Sequence, residues 1–121
     1  MESSKKTENR EAKGALTNKL SGLLGFAARS RNIQAGYNTT LDLIRKNRAK
    51  LVLITEDASE GTREKISQKC SSAGAACVVY GTSEDVSKIT GNAGNTVFCV
   101  TDKGFAEAMN SEIDRIRSEG E

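Results

Sequence analysis

The chain has 121 residues and a formal net charge of +2; 28% of its residues are charged and 4% are aromatic. This length allows one domain with one modest core, because smaller pieces would bury too little apolar surface. The sequence has no histidine, and none of its three cysteines forms a C-x-x-C pair, so a zinc site is not expected and histidine-dependent catalysis is excluded.

The sequence also lacks signatures of cofactor binding and membrane insertion. No GxGxxG or Walker A motif follows a predicted strand, so we expect no cofactor. Cys77 and Cys99 lie inside apolar runs and are interpreted, with Cys70, as small structural side chains. No apolar run approaches the roughly 18 residues of a membrane helix, and the start of the chain has no apolar core of a secretory signal. We therefore expect a cytoplasmic protein without a membrane partner.

The charge is unevenly distributed along the chain. Residues 1–50 carry 11 basic and 4 acidic side chains, a net charge of +7, whereas residues 51–121 carry 7 and 12, a net charge of −5. The densest basic run is typical of a surface that faces phosphate, although charge alone favours an ordinary solvated surface. The run contains Arg29, Arg31, Arg45, Lys46, Arg48 and Lys50, opposed by Asp42.

The N-terminal part predicts a tail followed by a helix. Residues 1–14 are polar and charged without hydrophobic periodicity, which indicates a flexible tail before a single domain over residues 15–118. Apolar residues at three- and four-residue spacing predict a first helix over residues 15–29. A short extended segment over residues 32–35 follows.

Gly36 separates this segment from a second helix. Asn38 is a good capping residue, so the helix is predicted to begin near it and to end around Asn47. Three aliphatic runs then predict buried strands with helices between them. The runs cover residues 51–55, 76–80 and 96–100.

Capping residues mark the helices of the second half. Ser59 or a neighbour is predicted to start a third helix, and Gly74 to lie just past its end. Ser83, followed by two acidic residues, is predicted to cap a short helix before a loop over residues 91–95. Apolar residues at helical spacing predict a closing helix. Continuous aliphatic strands that alternate with helices indicate an α/β protein, a three-layer α-β-α sandwich.

Four segments of the chain carry a family resemblance. They are LSGLLGFAARSRNIQAG, AKLVLITEDAS, VSKITG and TDKGFA. In this order and at this spacing they resemble the ribosomal protein L-seven-Ae and thirty-e family, the kink-turn RNA-binding group, and most of all its small bacterial members. The resemblance covers residues 20–105. It implies helices around a central four-stranded mixed sheet, and RNA binding without catalysis.

The resemblance implies that RNA is held where the second helix begins. The family pattern there is glycine, threonine, asparagine and glutamate, with a lysine three residues further on, and Gly36 and Asn38 match it. Tyr37, Thr39 and Asp42 stand in place of the threonine, the glutamate and the lysine. Thr39 is too short to replace a glutamate acceptor, and Asp42 brings a negative charge toward phosphate, so these departures argue against classical kink-turn affinity.

Physical chemistry supports an RNA contact at the same place. Gly36 allows close backbone approach, and the free N–H groups of a helix start can receive a phosphate or a base acceptor. Asn38 can donate and accept, although a simple helix cap is an equally good interpretation. Tyr37 can stack on an unpaired base or pack against the first helix.

Two further segments are candidate RNA contacts. Glu56 and Asp57 follow the central strand; without histidine or a nucleophile signature, they are interpreted as helix caps or as groups that orient basic residues. Thr90, Gly91 and Asn92 match the family's second RNA-facing loop, with a plain connecting loop as the alternative.

We therefore expect a noncatalytic monomer that binds structured RNA. The expected ligand is kink-turn-like and ribosomal or ribosome-associated, and the ribosome itself is a candidate partner. The alternative is a protein-interaction adaptor on the same fold, whose acidic C-terminal half binds a basic partner. A small-molecule binder or an enzyme has the least support. Basic contacts are assigned to Arg29, Arg31, Arg45, Lys46 and Arg48.

Overall fold

The computed structural model describes residues 16–119. The tail predicted over residues 1–14 lies outside this range, as does the first residue of the predicted domain. Within the range, helices and strands alternate along the chain. They are α1 (Asn18–Arg29), β1 (Ile33–Ala35), α2 (Tyr37–Arg45), β2 (Leu51–Ile54), α3 (Glu60–Ala73), β3 (Ala76–Val79), α4 (Ser83–Thr90), β4 (Val97–Val100) and α5 (Lys103–Glu119).

The boundaries of α3 follow from its capping residues, as predicted. The Ser59 hydroxyl accepts a hydrogen bond from the Thr62 N–H at 3.1 Å, which satisfies a donor that the helix leaves unpaired. At the other end, Gly74 adopts the left-handed conformation with φ 72°, which glycine reaches without a steric penalty.

The second helix begins near Asn38, as predicted, but its predicted cap is wrong by two residues. Its first residue is Tyr37, and its N-cap is Gly36 and not Asn38. The Gly36 N–H donates to the Val97 carbonyl at 2.9 Å and so extends the pairing of β1 with β4. The chain then turns into the helix at Gly36, where φ is 120°. Strand pairing therefore decides the start of α2, and side-chain capping preference does not. The helix also ends before Asn47, which has a left-handed φ of 60°.

The predicted cap of α4 is wrong by one residue. Thr82 caps this helix, and its hydroxyl accepts a hydrogen bond from the Asp85 N–H at 3.1 Å. The Ser83 hydroxyl instead donates to the Asn95 carbonyl at 2.6 Å. Ser83 therefore joins the helix start to the loop that follows the helix.

The four strands form one mixed sheet. β4 lies between β1 and β2 and runs antiparallel to both, whereas β2 and β3 are parallel, which gives the order β1-β4-β2-β3. The strands β1, β2 and β3 therefore point in the same direction. We call the edge where they end, at Ala35, Ile54 and Val79, the carboxyl end of the sheet, and the opposite edge the amino end.

Helices cover both faces of the sheet. α1, α4 and α5 pack on one face, where Leu24, Phe98 and Met109 are buried. α2 and α3 pack on the other face, around Val52 and Ile66. Burial on both faces explains why the central strands are continuously aliphatic. The predicted three-layer α-β-α sandwich with a four-stranded mixed sheet is confirmed.

The three thiols are free. Cys70 and Cys99 are buried and Cys77 is half-buried, in agreement with their interpretation as small structural side chains. Among residues 16–119, histidine, cysteine, aspartate and glutamate side chains form no group of three or more that would hold a metal ion. Within the same residues, no helix has the length and apolar character to cross a membrane.

A buried glutamate joins the first and last helices. Glu112 on α5 has 2% of its surface exposed. Its carboxylate accepts hydrogen bonds from the Arg115 guanidinium at 2.7 and 3.0 Å and from the Thr17 hydroxyl at 2.8 Å. The bonds from Arg115, followed by the bond from Thr17, lower the pKa of Glu112 to about 2. Because Thr17 also caps α1, the carboxylate ties the start of α1 to α5.

We expect this carboxylate to make the fold sensitive to acid. Its folded-state pKa lies below the ordinary value of 4.5, so its stabilisation is complete above that value and is lost as the pH falls towards 2. Urea unfolding at pH values on both sides of this window should show a larger loss of unfolding free energy for the wild type than for Glu112→Gln. Glu107→Gln, an exposed change on the same helix, should behave as the wild type. Equal acid sensitivity of Glu112→Gln and the wild type would contradict this role.

Candidate nucleic-acid interface

Three segments that are distant in sequence meet at the carboxyl end of the sheet. They are the start of α2, the exit of β2 and the loop between α4 and β4. The sheet order brings them together, because β1 and β2 end where β4, which lies between them, begins. The predicted site residues at or beside this end are Gly36, Tyr37, Asn38, Thr39, Glu56, Asp57, Thr90, Gly91 and Asn92.

The start of α2 is an uncapped helix N-terminus. Gly36 has no side chain to cap the helix, and no side chain within residues 16–119 does so. The N–H groups of residues 37–39 have no acceptor within the helix, since the first helical bond is the one from the Thr40 N–H to the Gly36 carbonyl at 3.0 Å. The positive end of the helix dipole adds to these donors. This helix start can therefore donate hydrogen bonds to an anionic or carbonyl oxygen.

The side chains around these donors are short or exposed. Tyr37 has 37% of its surface exposed, and Asn38 is exposed in the first turn. The interpretation of Asn38 as the helix cap is therefore wrong. The Thr39 side chain lies beside Gly36, since its Oγ1 would be 3.6 Å from a methyl group placed there. The backbone of the helix start is thus open to a ligand.

Asn95 connects the start of α2 with the loop that precedes β4. Its Oδ1 would lie 3.8 Å from a methyl group on Gly36, and its Nδ2 donates to the Asn92 carbonyl at 3.1 Å. Its own carbonyl accepts the hydrogen bond from Ser83. The sequence predicts a loop over residues 91–95 but carries no signal for this role of Asn95, since the contact depends on β4 lying next to β1.

The two acids after β2 have different surroundings. Asp57 accepts a hydrogen bond from the Ser83 N–H at 3.0 Å, so it holds the start of α4 and not the start of α3, which Ser59 caps. Burial acts to raise the pKa of Asp57, but its hydrogen bonds, including the one from Ser83, lower it overall. Glu56 is exposed.

The predicted basic residues lie away from the start of α2. Arg31 and Arg48 lie in the turns before β1 and β2, at the amino end of the sheet. The Arg45 and Lys46 side chains pair with Asp42, and the hydrogen bond from Lys46, assisted by Arg45, lowers the pKa of Asp42. These basic residues are therefore close to the helix start in sequence but not in the structure.

Two of the basic residues have unusual local geometry. Arg31 has a left-handed φ of 64°, at the position after the α1 C-cap where glycine is favoured. This conformation costs a non-glycine residue about 1 kcal/mol. The Arg29 guanidinium carbon lies 4.7 Å from the centre of the Phe26 ring. Both arginines are exposed.

Two bacterial proteins named RNA-binding protein YlxQ are similar to this chain. The Bacillus subtilis protein is 37% identical over 92 residues, which cover 76% of this chain and 92% of the relative. The Enterococcus faecium protein is 30% identical over 96 residues, which cover 79% of this chain and 92% of the relative. The similarity therefore extends over nearly the full length of each relative.

Solved structures share the fold. A Bacillus halodurans protein of unknown function superposes with a TM-score of 0.78 at 28% identity, covering 81% of this chain and 99% of that one. A Giardia lamblia 15.5kD RNA binding protein superposes with a TM-score of 0.66 at 17% identity, covering 85% and 92%. This second likeness concerns the fold alone.

The sequence resemblance described above is confirmed at the level of the family. The model of the Ribosomal protein L7Ae/L30e/S12e/Gadd45 family matches residues 18–110. The matched range contains every element from α1 to β4 and the first part of α5. The chain belongs to the Ribosomal protein L7Ae/L30e/S12e/Gadd45 family.

Proposed function

We propose that this protein binds structured RNA, without catalysis, at the carboxyl end of the sheet. The observation that carries the proposal is the open start of α2. Its three N–H donors have no cap, and the glycine before them has no side chain to keep a ligand away. Phosphate oxygens and base acceptors suit such donors. The relatives from Bacillus subtilis and Enterococcus faecium are named for RNA binding, and neither name describes a reaction.

Other residues at the carboxyl end of the sheet can also contact the RNA. Asn38 can donate and accept hydrogen bonds at the edge of a base, and Tyr37 can stack on an unpaired base. Asn95 connects the loop that contains Gly91 and Asn92 with Gly36, the residue before them. We propose that this loop forms the second side of the RNA site.

The basic residues at the amino end supply the phosphate contacts. Strands of four residues rise about 13 Å, so one folded RNA can touch both ends of the sheet. The backbone conformation of Arg31 supports this assignment. It is left-handed, so glycine would be less strained there, yet the residue is a basic one. We assign Arg48 to the same group because it lies at the same end.

We propose a bent or internally looped RNA as the ligand class, with ribosomal RNA as the first candidate. Because this sequence departs from the family pattern, we expect it to recognise sheared purine pairs less strongly than a protein in a classical kink-turn complex does. Thr39 offers a hydroxyl in place of a carboxylate. The charge of Asp42 is balanced by Arg45 and Lys46, which reduces its repulsion of phosphate. We place the protein in the cytoplasm as a monomer, with the ribosome as a candidate partner.

The adaptor alternative receives less support from the structure. It requires an acidic surface on the C-terminal half for a basic partner. Two acids of α5, Glu112 and Glu119, pair with Arg115, and Glu112 is buried. These pairs reduce the acidic charge that α5 offers to a protein.

Gel-shift titrations of ribosomal RNA fragments and kink-turn RNAs test the proposed function. We expect binding that weakens steeply with salt, by about 100-fold for a fourfold rise in salt concentration if four phosphates are neutralised. Replacing Arg29 and Arg31 together by alanine should weaken binding and lower the salt slope. Alanine has the same backbone strain as arginine at residue 31, so stability should change little.

The matched control is the double replacement of Lys65 and Lys69 by alanine. These exposed lysines lie on α3, on the other face of the sheet, and their loss changes the net charge by the same amount. If this control lowers the salt slope as much as the arginine pair does, the assigned phosphate contacts are wrong. Absence of RNA binding at low salt would refute the function itself.

A further inference from the structure

An aromatic side chain on α1 lies outside the apolar stripe of the helix. Phe26 has 60% of its surface exposed. Within residues 16–119, the other exposed large hydrophobic side chain is Tyr37, which already belongs to the proposed RNA site. Single exposed apolar residues are common on protein surfaces, so a function for Phe26 depends on its neighbours.

Arg29 gives the exposed ring a cationic neighbour. The 4.7 Å separation between its guanidinium carbon and the ring centre is within the range of a cation–π contact. Among the ion pairs between described residues, none involves Arg29. The sequence has no aspartate or glutamate from residue 16 to residue 41. The guanidinium is therefore available to an anionic ligand.

Gly25 allows Arg29 to lie along the helix. A methyl group placed on Gly25 would lie 3.3 Å from Nη1 of Arg29 and 3.7 Å from Cγ2 of Ile89. The first distance is tighter than an ordinary contact, so a side chain at residue 25 would shift the guanidinium by a few tenths of an ångström. Because Gly25 has no side chain, the guanidinium of Arg29 can lie close to the helix beside Phe26.

The same contact places this surface next to the proposed RNA site. Ile89 is the second-last residue of α4, and the loop with Gly91 and Asn92 begins directly after the helix. Asn95 joins that loop to the start of α2. If an RNA strand bound at the carboxyl end of the sheet continues across this loop, its next nucleotides would reach α1.

We infer that Phe26 and Arg29 form a stacking platform for an unpaired base of the bound RNA. The base lies against the ring, and the Arg29 guanidinium meets a neighbouring phosphate. Every base has a π face, so such a platform favours unpaired nucleotides whatever their sequence. A protein partner would need a larger apolar surface than one ring. The inference rests on the proposed function and adds a contact outside the carboxyl end of the sheet.

Two RNA probes test the platform with the full chain. One is a single-stranded oligoadenylate, and the other is a blunt-ended RNA duplex with the same number of phosphates. Phe26→Leu keeps an apolar side chain but removes the ring, so we expect its affinity for oligoadenylate to fall about tenfold at low salt. Its affinity for the duplex should stay within about twofold, since all base pairs except the two terminal ones are already stacked on both faces. Arg29→Lys, which keeps the charge and loses the planar group, should show the same selective loss.

A second variant tests the geometry without touching the platform residues. Gly25→Ala places a methyl group against Arg29, while alanine is a better helix former than glycine. We expect an unchanged or higher melting temperature together with weaker binding of oligoadenylate. The matched control is Gly22→Ala on the same helix, where the added methyl group has no neighbour within 4 Å, and its binding should equal that of the wild type.

The outcomes separate the platform from the proposed function. If the wild type binds ribosomal or kink-turn RNA but not oligoadenylate, the platform is wrong and the proposed function stands. The platform is also wrong if Phe26→Leu weakens both probes equally or neither. If the wild type binds none of these RNAs, the proposed function itself fails.

Discussion

Gly36→Ala is expected to lower both the stability of the fold and its affinity for structured RNA. Gly36 has φ 120° and ψ 148°, a backbone region that is almost exclusive to glycine. A side chain held there costs about 1–3 kcal/mol. At the size of this domain, each kcal/mol corresponds to a fall of roughly 4–8 °C in the melting temperature.

The loss of RNA affinity has a separate cause. The added methyl group would lie 3.6 and 3.8 Å from Thr39 and Asn95, so it fits the protein, and it adds bulk at the helix start that we propose as the RNA contact. We expect affinity for a structured RNA to fall by at least about tenfold, the equivalent of 1.4 kcal/mol. Gel shifts well below the melting temperature measure this loss on folded protein.

Gly74→Ala is the control that separates the effect of backbone strain on stability from the effect on RNA binding. Gly74 also has a positive φ, 72°, and a methyl group there would have no neighbour within 4 Å. It lies at the C-terminal end of α3, at the opposite end of the sheet from Gly36. The variant should lose stability and keep RNA affinity. If Gly36→Ala also keeps its affinity, the start of α2 is not the RNA site.

Asn38→Ala is expected to remove structural selectivity and to leave the fold intact. Asn38 is exposed in the first turn of α2 and does not cap the helix, and alanine has the higher helix propensity. Its amide lies beside the open N–H donors and can both donate to and accept from the edge of a base. We expect affinity for structured RNA to fall about tenfold, since a good two-point base contact is worth about 1–3 kcal/mol.

Single-stranded RNA of the same length provides the contrast for Asn38. Its binding depends mainly on charge, which the substitution does not alter. Asn18→Ala, at the exposed first residue of α1, is the matched change at another helix start and should affect neither RNA. Equal losses of Asn38→Ala on structured and single-stranded RNA would show that Asn38 has no recognition role.

Much of the fold could be predicted because its signals are local. The aliphatic strands, the Ser59 cap and the left-handed Gly74 each depend on a few neighbouring residues, and all three are confirmed. The N-cap of α2 could not be identified from capping preference. Asn38 has the better capping side chain, but the pairing of Gly36 with Val97 across the sheet sets the boundary.

Less of the candidate site could be predicted from the sequence, because the strand order brings its residues together. Asn95 contacts the start of α2 since β4 lies beside β1, an order that the hydrophobic pattern does not contain. Arg48 and Gly36 are close in sequence, but they lie at opposite ends of the sheet. Phe26 did carry a signal, since it lies outside the apolar stripe of the first helix.

Titration of isotope-labelled protein with a structured ribosomal RNA fragment, followed by amide NMR spectra, tests the central claim most directly. The spectra report each backbone N–H, including the uncapped groups of residues 37–39. The proposal predicts that the largest shifts fall on these residues and on the loop over residues 91–95, with smaller shifts at Arg31 and Arg48. Shifts confined to the α3 surface, or to the amino end of the sheet alone, would contradict it.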